Sequence, residues 1–483
     1  MERENAWKSY TDQDKTELIE LCEGYKSFLS QCKTERLATK RAIELASAAG
    51  YVPLTEAIAE KRALKPGDKI WIDNYGKAIM LVQIGTNDIE AGVNILGAHI
   101  DSPRLDLKQN PLYEASDFVL LDTHYYGGIK NYQWVALPLA LKGVVAKKDG
   151  TVVDISLGDD PADPVFCVTD LLPHLGAEQM KKNGREVVEG ESLDVLFGSE
   201  PLIVEDAEET TEAKPAKKEQ TYEEQIASTA QKEAVRAHIM QLLLERYGIE
   251  EEDFLSAEIE VVPAGDARDC GLDRSMVIGY GQDDRVCAYT SLVAQLAVED
   301  PTRTAVCILV DKEEIGSVGA TGMTSAFFEN TMAEILNLMG KQGDLALRRC
   351  LANSSMLSSD VSAAFDPSYA SVFEPKNSAY CGRGLVFNKY TGSGGKSGSN
   401  DANAEYMAAL RKIMDDSGVK YQTAELGRVN AGGGGTIAYI PAKYGMNVID
   451  SGVAVLSMHS PWEVTSKADI YEAYKGYKAF LSA

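Results

Sequence analysis

Residues 305–314 read AVCILVDKEE, six apolar residues followed by four charged ones. A run this short and this uniformly apolar suits a strand buried on both faces. The acids that follow it then fall at the carboxyl end of that strand, where open α/β sheets bind their ligands. Three more runs repeat the pattern. Val93 to Ala98 stops at His99, Val453 to Met458 stops at His459, and Asn447 to Ile449 is a third short apolar piece. Helical patterns lie between and around them. Leu18, Leu21, Tyr25, Phe28 and Leu29 recur at helical spacing, Thr34 to Ala49 follows with Gly50 placed to end it, and Arg285 to Val298 reads as another helix. Strands alternating with helices predict an α/β fold.

The middle of the chain reads differently. From Pro111 to Gly158, short β-rich pieces such as Phe118 to Leu121 and Gly143 to Ala146 are punctuated by Gly and Asp turns. Residues 205–225 (EDAEETTEAKPAKKEQTYEEQ) are charged and poor in apolar side chains, which predicts a solvated, flexible loop. A helix is expected from Tyr222 to Tyr247. The reading is an α/β domain in two parts, 1–104 and 263–483, interrupted by a β-rich insertion, 105–262. A chain of 483 residues is too long for one core, which fits this division.

Composition narrows the function. The formal net charge is -25, from 73 acidic and 48 basic residues, and such a surface repels nucleic acid and anionic membranes. No apolar run approaches the ~20 residues that span a bilayer. The first ten residues hold no apolar signal core, and the eight cysteines are scattered without a C-x-x-C pair. A cytoplasmic location is the expectation.

Of five histidines, His99 and His459 follow apolar runs directly. A lone histidine at a strand end is more often structural than a ligand. The company these two keep raises the second reading. Asp101 lies two residues beyond His99, where a carboxylate can accept the other imidazole N–H, or simply cap the strand end. Glu313 and Glu314 are adjacent, so their side chains point different ways, and one could bind a metal while the other faces water. Asp360 follows SSMLSS. Asp283 and Asp284 precede a helix that either could cap, and for Asp283 capping is the stronger reading. Carboxylates and imidazoles without thiolates suit a hydrolytic metal pair.

Two stretches are rich in glycine. Gly392 to Gly398 (GSGGKSG) resembles a phosphate loop but has Tyr390 where the first glycine belongs. Ala431 to Thr436 (AGGGGT), with Gly434 and Gly435 at its centre, allows close backbone approach to a ligand or is a plain turn.

The stretches FLSQCKTER, GAHIDSPRLDLK, THYYGGIK, GQDDRVCAYTS, DKEEIGSVGATG, SSDVSAAFDP, SGSNDANAE and SMHSPWE, in that order, resemble the aspartyl aminopeptidase and aminopeptidase I family of metallopeptidases. The resemblance implies two divalent metal ions, zinc first and cobalt or manganese as substitutes. It implies His99, Asp284 and Asp360 around one ion and Asp284, Glu314 and His459 around the other, with Asp284 shared. Glu313 matches the general base, and Asp101 the residue that orients His99. The implied fold is a mixed-sheet zinc-exopeptidase domain of the phosphorylase/hydrolase-like kind, with helices on both faces, interrupted by a β-rich dimerisation domain. The implied activity is removal of N-terminal residues from short peptides. The implied assembly is a homo-oligomer, a tetrahedral dodecamer built from dimers, in which His174 either reaches a neighbour's active site or is an interface histidine. Two positions depart from the family pattern. Pro461-Trp462 replaces an Ile-Arg pair, and Ala364 stands near the place of a histidine in aspartyl-specific relatives. Both lie near the expected substrate, so the preferred N-terminal residue stays open. Two other readings remain. One is a dimetal hydrolase of a different N-acyl substrate, and the other is a non-catalytic assembly or binding protein on a peptidase fold.

Overall fold

A computed structural model describes residues 3–203 and 220–483. The chain forms two compact units, one from residues up to Ser102 and from Asp266 to Ala483, the other from Pro103 to Gly265.

The first unit is built on a nine-stranded sheet. Its centre is four parallel strands side by side, Ala305–Val310, Asn94–His99, Ser355–Ser359 and Asn447–Gly452. Antiparallel neighbours flank this centre, Ala78–Gln83 on one side and Leu385–Asn388 on the other, so the sheet is mixed. The apolar runs alternate between two cores. Leu96, Ala98, Cys307, Leu309, Leu357 and Ile449 face one, with helices Asp12–Gln31, Glu35–Ala48 and Lys467–Ser482 packed there. Ile95, Val306, Ile308, Val310, Met356 and Val448 face the other, beneath helices Leu54–Glu60, Phe327–Leu338 and Asp344–Ala352. Because side chains alternate along a strand, a one-residue slip would exchange the two cores. Register is therefore tightly specified. Parallel pairing sends the carboxyl ends of all four central strands to one rim. His99 ends one strand, Asp311 to Glu314 follow another, and Asp360 follows a third.

A five-stranded sheet in the same unit holds Met276–Gly279, Glu463–Ser466, Ala454–Leu456, Arg268–Cys270 and Ser362–Ala363. It carries the chain into Asp283 and through the turn at His459.

The second unit is a seven-stranded antiparallel sheet with Leu139–Ala146, Ala257–Pro263, Arg104–Ala115 and Phe118–Tyr126 at its centre. Two helices, Tyr222–Ala230 and Ala234–Tyr247, belong to this unit, where a single helix was expected. The break falls at Gln231 to Glu233, where the N–H groups of Lys232 and Glu233 both turn back to the Thr229 carbonyl. Most of the expected 205–225 loop lies outside the described residues. Its last part is not a loop, because Thr221 caps a helix that starts at Tyr222, in a capping box with Glu224.

Candidate metal centre

His99 ends its strand with the side chain only 2% exposed. Its Nδ1 lies 3.0 Å from the backbone carbonyl of Asp101 and 3.3 Å from Asp101 Oδ1. Nε2 therefore faces the rim, 3.2 Å from Asp283 Oδ1, 3.9 Å from Glu313 Oε2 and 4.0 Å from Asp360 Oδ1. Asp101 does more than orient the ring. Its two oxygens accept the backbone N–H groups of Glu313 (3.1 Å) and Glu314 (3.2 Å). One buried carboxylate thus fixes a histidine and the short turn Glu313–Ile315 that presents both glutamates.

Neither Asp283 nor Asp284 caps a helix. The helix Gln282–Leu296 has Gly281 at its N-cap with no side-chain cap bond. Both aspartates carry non-helical backbone angles, φ -81°, ψ 105° and φ -117°, ψ 28°. The turn depends on Gly281, whose φ is +72°. A Cβ there would lie 1.8 Å from Arg285 Nη1, so any other residue would force the buried Arg285 guanidinium to move and strain the turn. Ser102 Oγ donates to the Asp283 carbonyl at 2.5 Å. The turn sets the Asp283 carboxylate between the two histidines, Oδ1 at 3.2 Å from His99 Nε2 and Oδ2 at 3.2 Å from His459 Nε2. Asp284 points deeper, into the group of His99 and Asp360. The resemblance gives the shared place to Asp284, whereas the carboxylate that faces both histidines is that of Asp283.

Three overlapping groups have one donor atom per residue, all within 4.8 Å of one another: His99, Asp284 and Asp360; His99, Glu313 and Glu314; Asp283, Glu314 and His459. The donors are imidazole nitrogens and carboxylate oxygens, a set that suits zinc, cobalt or manganese. Electrostatics supports the fit. Asp284 is wholly buried and its carboxylate makes no hydrogen bond of standard geometry, with only the Cys287 thiol and the His99 backbone as weak neighbours. Glu314 Oε1 is likewise buried without a hydrogen bond. Burial pushes Asp284, Asp360 and Glu314 well above the usual carboxylate range, and Glu313 up to about 7. For His99, burial works against the charged ring, but bonds to Asp101 and Asp283 outweigh it and hold the imidazole well above its ordinary value. So many acids in so little water are stable only beside protons or cations. Divalent ions among these oxygens answer that requirement.

The centre opens into a cleft of about 520 Å³. Asp283, Glu313, Glu314, Asp360 and His459 line it, and the glycine-rich stretch Gly433 to Thr436, including Gly434 and Gly435, lines it too. Val361, Leu426, Tyr439 and Met458 add apolar wall. His174 is an exposed residue of the unit Pro103–Gly265 and forms no part of these groups.

Sequence reading missed Glu463. It is 1% exposed, and it accepts the backbone N–H of His459 at 2.7 Å and that of Asp283 at 3.0 Å. The available signal was a charged residue at an inward position of a strand, four residues after His459.

Comparison with known proteins points to one family. The family model described as aminopeptidase I zinc metalloprotease (M18) matches residues 28–481. A protein of Clostridium acetobutylicum described as a probable M18 family aminopeptidase 1 is 56% identical over 481 residues, covering 100% of this chain and 98% of its own. The crystal structure of aminopeptidase I from the same organism is 53% identical with a TM-score of 0.87, covering 100% of both chains. That of an M18-family aminopeptidase from Thermotoga maritima is 41% identical with a TM-score of 0.90, covering 100% of this chain and 99% of its own.

Proposed function

Because the chain belongs to the aminopeptidase I (M18) family of zinc metalloproteases, we propose that it hydrolyses the first peptide bond of short peptides, with Glu313 as general base. The observation that carries this is the set of three overlapping His–carboxylate groups, Glu313 in one of them, that opens into one cleft. Two divalent ions, zinc first and cobalt or manganese as substitutes, would be held by His99, Asp284 and Asp360 and by Asp283, Glu314 and His459, and when bound they supply Lewis acidity to the scissile carbonyl and to water.

Asp283 is the better candidate for the shared carboxylate, since its two oxygens face different histidines. Glu313 takes a proton from the attacking water at its carboxylate and delivers it to the leaving amine nitrogen. The Asp101 bond to its backbone N–H holds it in place for both transfers. The free α-ammonium of a substrate is drawn to the acidic cleft, and an acylated terminus lacks that charge. Internal peptide bonds are excluded for the same reason. Gly434 and Gly435 leave room for substrate backbone against the opposite wall.

The wider expectations form part of this proposal. They are a β-rich dimerisation role for the unit Pro103–Gly265, a tetrahedral dodecamer built from dimers in which His174 either meets a neighbour's active site or lies at an interface, and a cytoplasmic location. Among the described residues no helix is long and apolar enough to cross a membrane. A native mass near twelve chains checks the assembly.

The deciding experiment is a panel of aminoacyl chromogenic substrates, each free and N-blocked, assayed before and after chelation and metal return. Cleavage of the free forms alone, lost on chelation and restored by zinc, cobalt or manganese, is the expected result. Cleavage of N-acyl forms would point to a different dimetal hydrolase. No metal-dependent cleavage by folded protein would leave the non-catalytic reading.

A further inference from the structure

Glu463 opens the strand Glu463–Ser466, paired in register with Gly279, a few residues before Asp283. Its side chain is buried, and each carboxylate oxygen has its own backbone donor. Oε1 accepts from His459 and Oε2 from Asp283. These are the two residues whose side chains meet at 3.2 Å on the cleft side of the centre. His459 needs such help. Its φ is +64°, and Ser457 two residues earlier has φ +58°, a left-handed conformation that side chains with a Cβ avoid. A non-glycine residue persists there only where its surroundings over-determine it. The N–H bond to Glu463 is a constraint of that kind. It acts on the backbone and so sets where the imidazole starts. Asp101 shows the same device on the other side, accepting the N–H groups of Glu313 and Glu314.

We propose that Glu463 is a positioning residue that ties the backbones of His459 and Asp283 together and so sets the geometry of the outer metal site, formed by Asp283, Glu314 and His459. The inference rests on the metal reading given above and deepens it. Asp283 is also held by Ser102 through its carbonyl, so the inner site of His99, Asp284 and Asp360 depends less on Glu463.

The test uses the full-length chain. Glu463→Gln keeps the shape of the side chain but leaves one acceptor oxygen, turning an NH2 group toward one of the two N–H donors. Zinc affinities of both sites are measured by competition with a chelator, and the visible spectrum is followed as cobalt fills them. In the variant, the weaker zinc affinity should fall about 10–100-fold, as is usual when a group supporting a metal ligand is changed. The stronger affinity should change less than about threefold, and the cobalt spectrum should differ only as the second ion enters. Wild-type affinities with an unchanged spectrum overturn the proposal. An equal fall at both sites, with a lower melting temperature of the metal-free chain, also overturns it, since that is a general packing role. A wild-type chain that binds no metal overturns the metal reading first, and this one with it. If the variant does not fold, amide exchange in metal-free wild-type protein decides. The Asp283 and His459 amides should exchange at least about tenfold more slowly than unstructured amides, and free exchange at either overturns the tie.

Discussion

In the inner half of the centre, His99, Asp284 and Asp360 are 2%, 0% and 8% exposed, and His99 and Asp360 stand at the ends of central strands. In the outer half, the His459 side chain is 35% exposed and stands on a left-handed turn. The inner half takes its geometry from the parallel sheet. In the outer half, the backbones of His459 and Asp283 bond to one buried glutamate, Glu463, and that of Glu314 to Asp101. Ligands fixed by strand ends need little else to hold them, whereas a ligand on a strained loop depends on whatever braces the loop. Ions held by the two halves, as proposed above, should therefore differ in affinity and in how quickly they leave.

The comparison can be broken in several ways. The largest effect belongs to Glu313, which serves as base rather than ligand in this reading. Glu313→Gln should lower kcat about 10³-fold while zinc content stays at two ions per chain. Loss of an ion together with activity would make Glu313 a ligand and redraw both halves. Next come the adjacent aspartates. Asp283→Asn should weaken both ions, and Asp284→Asn mainly the inner one, each read as metal stoichiometry after dialysis. The reverse pattern would restore Asp284 as the shared carboxylate. Third, a chelator titration of the wild type should remove metal in two steps. His459→Ala should abolish the first step and leave the second within about threefold, since the His459 side chain belongs to the outer group alone.

The smallest effect sharpens the role of burial alone. Asp450 is as buried as Asp284 but lies outside the metal groups, beside Ser358 in the sheet. Burial pushes its carboxyl up to about 7. In an unfolded chain the value is about 3.9. The folded protein therefore holds this proton more tightly. The stabilisation it brings is fully present below about pH 4 and is lost as pH rises to 7. Asp450→Asn should match the wild type near pH 4 and exceed it at pH 8, by on the order of 4 kcal/mol, in melts of metal-free protein. A gap that does not widen with pH would mean that Asp450 is ionised in the fold at little cost.

Much of the sheet was legible in the sequence because its strands are buried on both faces and read as bare apolar runs. AVCILV needs no alternation to be recognised. The acids and histidines that end these runs were legible for the same reason, since the sheet decides where they gather. Adjacent residues were harder. Whether Asp283 or Asp284 faces both histidines depends on a turn through Gly281 and Arg285, and spacing says nothing about it. Glu463 was hidden because its partners are backbone N–H groups, which every residue carries. The break between Ala230 and Ala234 was hidden because the apolar spacing runs on across it, from Ile226 to Ala237 and Met240.

The strand that ends at His99 pairs on one side with Ala305–Val310 and on the other with Ser355–Ser359. At its start, Val93 bonds to Ser354, 261 residues later in the chain. A sheet whose middle must wait for partners so distant closes slowly, because the loop entropy is lost before the contacts form. His99 is thus made early and seated late. Until then it is a histidine next to an aspartate on an open chain, able to take up an ion in the wrong company. Refolding should be cleanest when zinc is withheld until the sheet has closed.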